Sequence, residues 1–408
     1  MRSTLTKLVT VAVLVVVPST LPAEPAGAPP AAGRVATVAD DVGTSATSLA
    51  RPPVPPRAPA PTTRLLYNDP LHRPNEISAA IAANIDGVPA GERIDVSTYW
   101  ISSARIATAL TRAVRRGVHV HVLLAGNDKA RGFATSRRLM RMLHRARASG
   151  SWGIWSDGAA RGSAGIMHQK SYVFSRVGDR QWVVMNGSYN SAASSDLNTY
   201  ALMWQVTGDK TLYDAFRGIG RAQAAQRSLR RPLRTAGGDG WSAYFLPTAD
   251  RPGADPVMAR LRGIPARPDT LIRIEMYSMW GPRAEWIAHR LAAMARSGAR
   301  ITLVAGPTVD VRVQAILRSA GVKVLPGCFA DHTYIHAKDM AASWLDGGTR
   351  RFRTWVGSDN WTSRGTADDE AVLGVDGAEG FHTFARAFAL VAGRTDGVSG
   401  AACSPRSD

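Results

Sequence analysis

One short polar constellation is written twice in this chain, and any fold must account for both copies. The first is His168-Gln169-Lys170 followed by Gly187-Ser188-Tyr189-Asn190; the second is His336-Ala337-Lys338 followed by Gly357-Ser358-Asp359-Asn360. In a strand, residues two apart point to the same face, so the imidazole and ammonium of each copy emerge side by side. Gly-Ser-x-Asn suits a tight turn that offers a hydroxyl and an amide. Brought together, the copies supply paired imidazoles, ammoniums, hydroxyls and amides around one small volume. That inventory fits a tetrahedral anion, and a phosphate diester above all. The alternative is two His-x-Lys pairs lying separately on solvated strand faces.

The duplication extends beyond these sets. Arg93-Ile94-Asp95-Val96-Ser97-Thr98-Tyr99-Trp100 has a counterpart in Arg273-Ile274-Glu275-Met276-Tyr277-Ser278-Met279-Trp280. Each octet reads as a strand leading into a helix. The first helix carries a stripe of Ile106, Leu110, Ala113 and Val114, the second Ile287, Leu291, Met294 and Ala295. Both stripes have the spacing of one buried helical face, and Gly117 and Gly298 are natural stops. Further strands follow, at Val118 to Ala125 and Ala299 to Ala305. Strand and helix alternating in duplicate predict an α/β fold of two similar sandwich halves with mostly parallel sheets. A pseudo-two-fold axis would bring both constellations to the interface, where ligand sites commonly lie.

The flanks read differently. Arg2 and Lys7 precede the apolar run Leu8 to Val17, and small-residue sites follow at Leu21-Pro22-Ala23 and Ala26-Gly27-Ala28. This pattern predicts a signal peptide over 1–28 and a secreted protein. The run is too short to span a bilayer, which takes about 20 residues. Residues 29–61 are Pro- and Ala-rich and read as an extended linker. The expected halves are 62–236 and 241–395, with Gly237-Gly238-Asp239-Gly240 as the hinge and 396–408 as a tail. The formal charge of +18 over 408 residues predicts attraction to an anionic partner: a phospholipid surface, nucleic acid or an acidic wall polymer. Cys328 and Cys403 are placed to bridge the tail to the second half in an oxidising compartment, with two free thiols the alternative.

His-x-Lys with Gly-Ser-x-Asn, twice, resembles the phospholipase D superfamily. The resemblance runs from about Tyr67 to the helix near Phe388. It is closest to secreted actinobacterial members, through Tyr67-Asn68-Asp69-Pro70 and Arg116-Gly117-Val118. The family usually places Asp five residues after the motif Lys, where this chain has Ser175 and Ser343. It also tends to carry an acid after Gly-Ser-x-Asn that steadies the motif His. Among Asp368-Asp369-Glu370, Glu370 fits that place and is expected to act on His336; Tyr200 stands at the matching first-half position.

The resemblance implies cleavage or transfer at a phospholipid headgroup diester through a phosphohistidine. His168 would be the nucleophile and His336 the acid/base. Lys170, Lys338, Asn190 and Asn360 would hold the phosphoryl oxygens. Ser188 and Ser358 would be secondary substrate donors or motif supports. No cofactor is expected, because the lysines supply the neutralising charge, and a monomer is expected. A metal-independent nuclease of the same superfamily is the alternative, and a catalytically silent binder of anionic polymers is a third reading. His119 and His121 alternate on one strand and read as an exposed edge rather than a metal pair. Arg137, Arg138, Arg141, Arg145 and Arg147 crowd one helix; solvated surface and an anion-facing patch are both open. Trp361, beside Asn360, reads as core packing or the cleft mouth.

Overall fold

The computed structural model describes residues 61–398. The expected leader, almost all of the linker and most of the tail, Cys403 included, lie outside the described residues. The first half contributes β1 (Arg64–Asn68), β2 (Arg93–Thr98), β3 (His119–Ala125), β4 (Trp152–Ser156), β5 (Lys170–Val177), β6 (Arg180–Gly187) and β7 (Thr199–Val206). The second contributes β8 (Arg234–Gly238), β9 (Trp241–Phe245), β10 (Leu271–Trp280), β11 (Arg300–Val309), β12 (Lys323–Pro326), β13 (Tyr334–Ile335), β14 (Lys338–Asp346), β15 (Thr349–Gly357), β16 (Trp361–Thr362) and β17 (Ala371–Asp376).

The duplication carries through the topology. One sheet runs β1-β7-β6-β5-β2-β3-β4, the other β12-β11-β10-β14-β15-β17-β9-β8. Read from β4 and from β12, the first seven strands correspond one to one, and β8 is an addition of the second sheet. The expectation of mostly parallel sheets is corrected: both are mixed. β2–β3–β4 and β10–β11–β12 are parallel, because a helix crosses between successive strands. β5–β6 and β14–β15 are antiparallel, because only two residues join each pair. Gly178, and Gly347 with Gly348, take positive φ in those turns, where a side chain would be strained. The Gly237–Gly240 stretch is likewise no hinge. β8 pairs β9 antiparallel and already belongs to the second sheet.

Both predicted helical stripes are buried. Ser103 caps the helix Ala104–Arg115 by accepting from Ile106 N, and Ile106, Leu110 and Ala113 sink into the first core. Ile287, Leu291 and Met294 of the helix Gly281–Arg296 do the same in the second. Between the sheets lies a third core drawn from both halves, with Leu65, Val173, Val184 and Leu202 packing in one cluster with Val304, Ile335, Val356 and Leu373. Burying each of these side chains contributes roughly 1.5–3 kcal/mol before entropy is counted, so the interface is a true core. The halves are thereby held face to face.

Candidate active site

The two histidines are set by backbone pairing across the halves. Ile335 of β13 pairs with Tyr200 of β7, and His336 N donates to Tyr200 O at 2.8 Å. In the mirror arrangement Met167 bridges Asp369, and His168 N donates to Asp369 O at 3.0 Å. Each imidazole is then held by the opposite half. His168 Nδ1 lies 2.7 Å from Glu370 Oε1. His336 Nδ1 donates to Ser188 O at 3.0 Å, with its Nε2 3.5 Å from Asn190 Nδ2. The expected partnership of Glu370 with His336 is therefore corrected. Glu370 follows the second Gly-Ser-x-Asn in sequence, but the two-fold arrangement carries it to the first histidine. Tyr200 takes no imidazole either; its hydroxyl accepts from Arg394 at 2.9 Å.

Glu370 acts with its two neighbours. Asp368 Oδ1 accepts from Ile166 N at 2.8 Å, and Asp369 pairs with the wholly buried Arg161 at 3.0 Å. Three successive second-half carboxyls thus staple the first-half segment that ends at His168. Sequence reasoning saw the acidic triplet but not its target. The signal available was its length, since one carboxylate suffices to steady one ring.

The lysines begin β5 and β14. Lys170 Nζ donates to His168 O and stands 5.9 Å from the Tyr99 ring centre. Lys338 Nζ donates to His336 O at 2.6 Å, lies 3.1 Å from both His336 ring nitrogens and stands 4.6 Å over Tyr277. Tyr99 also meets His168 edge-on at 5.4 Å, and Tyr277 lies 4.7 Å from His336. These tyrosines wall the site, and the sequence reading passed over them. Each follows the residue that pairs its motif lysine, Thr98 with Lys170 and Met276 with Lys338, so they are structural counterparts that an octet alignment offset by two residues hides.

Burial dominates the electrostatics. It lowers Lys170 to about 8 and pushes Lys338 well below the usual ammonium range, Lys170 adding to the latter. Burial and the two lysines hold both histidines well below the usual imidazole range. Burial pushes Glu370 well above the usual carboxylate range. With His168 Nδ1–H directed at Glu370 Oε1, the Nε2 lone pair is left available.

Ser188 and Ser358 serve the backbone. Ser188 Oγ accepts from Leu202 N at 3.0 Å and Ser358 Oγ from Ala371 N at 3.1 Å, clipping β6 to β7 and β15 to β17. Asp339, unremarked in the sequence, accepts from Gly357 N at 3.0 Å and Ser188 Oγ at 3.3 Å, and so ties the two Gly-Ser turns together. Asn190 is buried and Asn360 half-buried at the ends of those turns. Their Oδ1 atoms have no protein partner. Trp361 is core. His121 is also buried: β3 lies between β2 and β4, and the ring bonds Asp95 at 2.7 Å. Ser175 Oγ donates to Glu92 at 2.7 Å, five residues along the strand from Lys170 and about 17 Å away. The missing motif Asp thus concerns the far end of β5. Cys328 is disulfide-bonded.

Residues 88–217 match the family model described as cardiolipin synthase, PLD-like domain. That match covers one half, and the second half repeats its strand order and its His-x-Lys set. Over that half the chain is similar to the phospholipase D superfamily, and its two motif sets face each other across one site. The phosphatidylserine synthase of Haemophilus influenzae Rd KW20 is 14% identical, with 77% of this chain and 83% of that one covered at a TM-score of 0.54. Polyphosphate kinase from Porphyromonas gingivalis is 15% identical over 77% of this chain, at a TM-score of 0.50. The chain spans about half of that kinase, 47% of its length. The phospholipase D family member Nuc from Salmonella typhimurium is 17% identical, covering 40% of this chain and 95% of its own at a TM-score of 0.33. No curated protein matches the chain.

Proposed function

We propose that this chain is a secreted phosphodiesterase of phospholipase D type, hydrolysing or transphosphatidylating the headgroup diester of phospholipids. The observation that carries the reading is the cross-half anchoring of two imidazoles, each beside a buried ammonium. A diester resists attack because its own negative charge repels nucleophiles, so charge neutralisation is the first requirement. Lys170 and Lys338 meet the non-bridging oxygens as buried cations, and the amides of Asn190 and Asn360 donate to the same oxygens. Among the described residues no carboxylate lies within ion-pair distance of either ammonium, which leaves their charge for the ligand.

His168 is the nucleophile in this scheme. Its Nε2 forms the bond to phosphorus as the bond to the leaving alcohol oxygen breaks. Glu370 accepts from Nδ1–H and balances the positive charge that the ring gains. His336 gives its proton to the departing alkoxide. The neutral ring then takes a proton from water or an acceptor alcohol, whose oxygen attacks phosphorus and releases His168. The bound diester offsets the two lysines, and so raises His336 toward the protonation its first step requires.

The test is mass spectrometry of products from mixed phospholipids, with and without ethanol. Headgroup release in water and a phosphatidylethanol product in ethanol are expected, and both should vanish in His168→Ala and His336→Ala. Cleavage of oligonucleotides but not lipids would replace this reading with the nuclease. Binding without turnover of any diester would replace it with a silent module.

A further inference from the structure

The Arg-rich helix Ala134–Arg145 lies on β4, which is the open edge of the first sheet. Between them runs a groove of about 560 Å³. Its floor is apolar: Met140, Gly153 and Trp155. At Gly153 the Met140 sulfur lies 2.8 Å from where a Cβ would sit, so the thioether packs directly on the strand backbone. Its walls are Arg131, Arg137, Arg141 and Arg145. The last three recur every four residues and so line one side of the helix over about 12 Å. Among the described residues, no carboxylate lies within ion-pair distance of those three. Arg131 alone has an acid nearby, Asp157 at 3.6 Å.

Arg137 donates to Arg131 O and Gly132 O at 2.7 and 2.6 Å, which holds its guanidinium at the rim, and the exposed Arg141 and Arg145 edge the same depression with its apolar base. Such a site is complementary to an amphiphile with an anionic head. A single-stranded nucleic acid fits less well, since it needs an open aromatic face for base stacking. Arg131 covers one face of Trp155 at 5.1 Å, and the ring packs against two core clusters.

We propose that this groove binds an anionic phospholipid, with its phosphate among Arg137, Arg141 and Arg145 and its acyl chains along Met140 and Trp155. The bound lipid docks the enzyme on anionic bilayers. The inference rests on the lipid reading only in supposing that the enzyme meets a bilayer.

The test is sedimentation with vesicles of phosphatidylcholine, with and without phosphatidylglycerol, in a His168→Ala background that prevents turnover. Wild-type residues in the groove should give strong binding only to the anionic vesicles. Arg141→Ala with Arg145→Ala should weaken it roughly thirtyfold, from about 1 kcal/mol per arginine at an anionic surface. The exposed pair Arg227→Ala and Arg230→Ala removes the same charge elsewhere and should change binding less than threefold. In the active background, the groove double variant should hydrolyse monomeric short-chain phosphatidylcholine at the wild-type rate. Equal losses in both pairs would show general attraction and overturn the site. Groove-dependent binding of a single-stranded oligonucleotide, without vesicle binding, would overturn the lipid. Vesicle binding without hydrolysis of any lipid would leave the groove standing and remove the catalytic reading.

Discussion

Replacing Glu370 by Gln separates catalytic from structural roles at the centre of the site. Gln is nearly isosteric, so its amide oxygen still accepts from His168 Nδ1 at the 2.7 Å contact. What is lost is the negative charge facing the ring as His168 becomes phosphorylated and positive. A hydrogen bond to a charged group is worth about 1.5–3 kcal/mol, so phosphoryl transfer to His168 should slow roughly ten- to hundredfold. Stability should move the other way. Burial raises the Glu370 pKa, so the carboxyl contributes most when protonated and its ionisation costs folding free energy as pH rises above the unfolded value. Gln carries no such cost, and Tm at neutral pH should hold or rise. Single-turnover quench-flow of phosphoenzyme formation, alongside calorimetry, reads both effects. A rate within threefold of wild type, or a large fall in Tm, would refute the charge-balancing role.

Three further outcomes follow from the geometry. Lys170 is lowered to about 8 and must be cationic to hold the diester, so kcat/KM should fall as pH rises through about 8; a flat profile to pH 10 would remove its role. Asp369→Asn leaves the fully buried Arg161 without its counter-charge and should cost about 3 kcal/mol, measured by urea unfolding; under 1 kcal/mol would mean that the staple is unimportant. Ser175→Asp installs the residue that the family usually carries, but sets it against Glu92, so it should cost roughly 1–2 kcal/mol and raise activity not at all. A gain in turnover would show that the far end of β5 governs the site.

Much of this protein is determined locally. His-x-Lys alternation, the helical stripes at Ile106 and Ile287, and the duplicated octets each follow from side-chain period, which is a property of neighbours along the chain. From them come two equivalent α/β halves and the identity of the paired imidazoles and ammoniums. The sheet pattern failed at the two-residue turns β5–β6 and β14–β15, and also where β2–β5 and β10–β14 pair antiparallel across long connections. Partner choice is another matter. Glu370 lies 34 residues beyond His336 but some 200 beyond His168, and chain distance favoured the wrong ring. Only the shared core between the sheets decides that each histidine is anchored by the opposite half. Tyr99 and Tyr277 are likewise placed by sheet register, each one residue past the partner of its motif lysine. Period is fixed by covalent geometry, but cross-half contact depends on which faces bury against each other, and no local stretch of sequence carries that information.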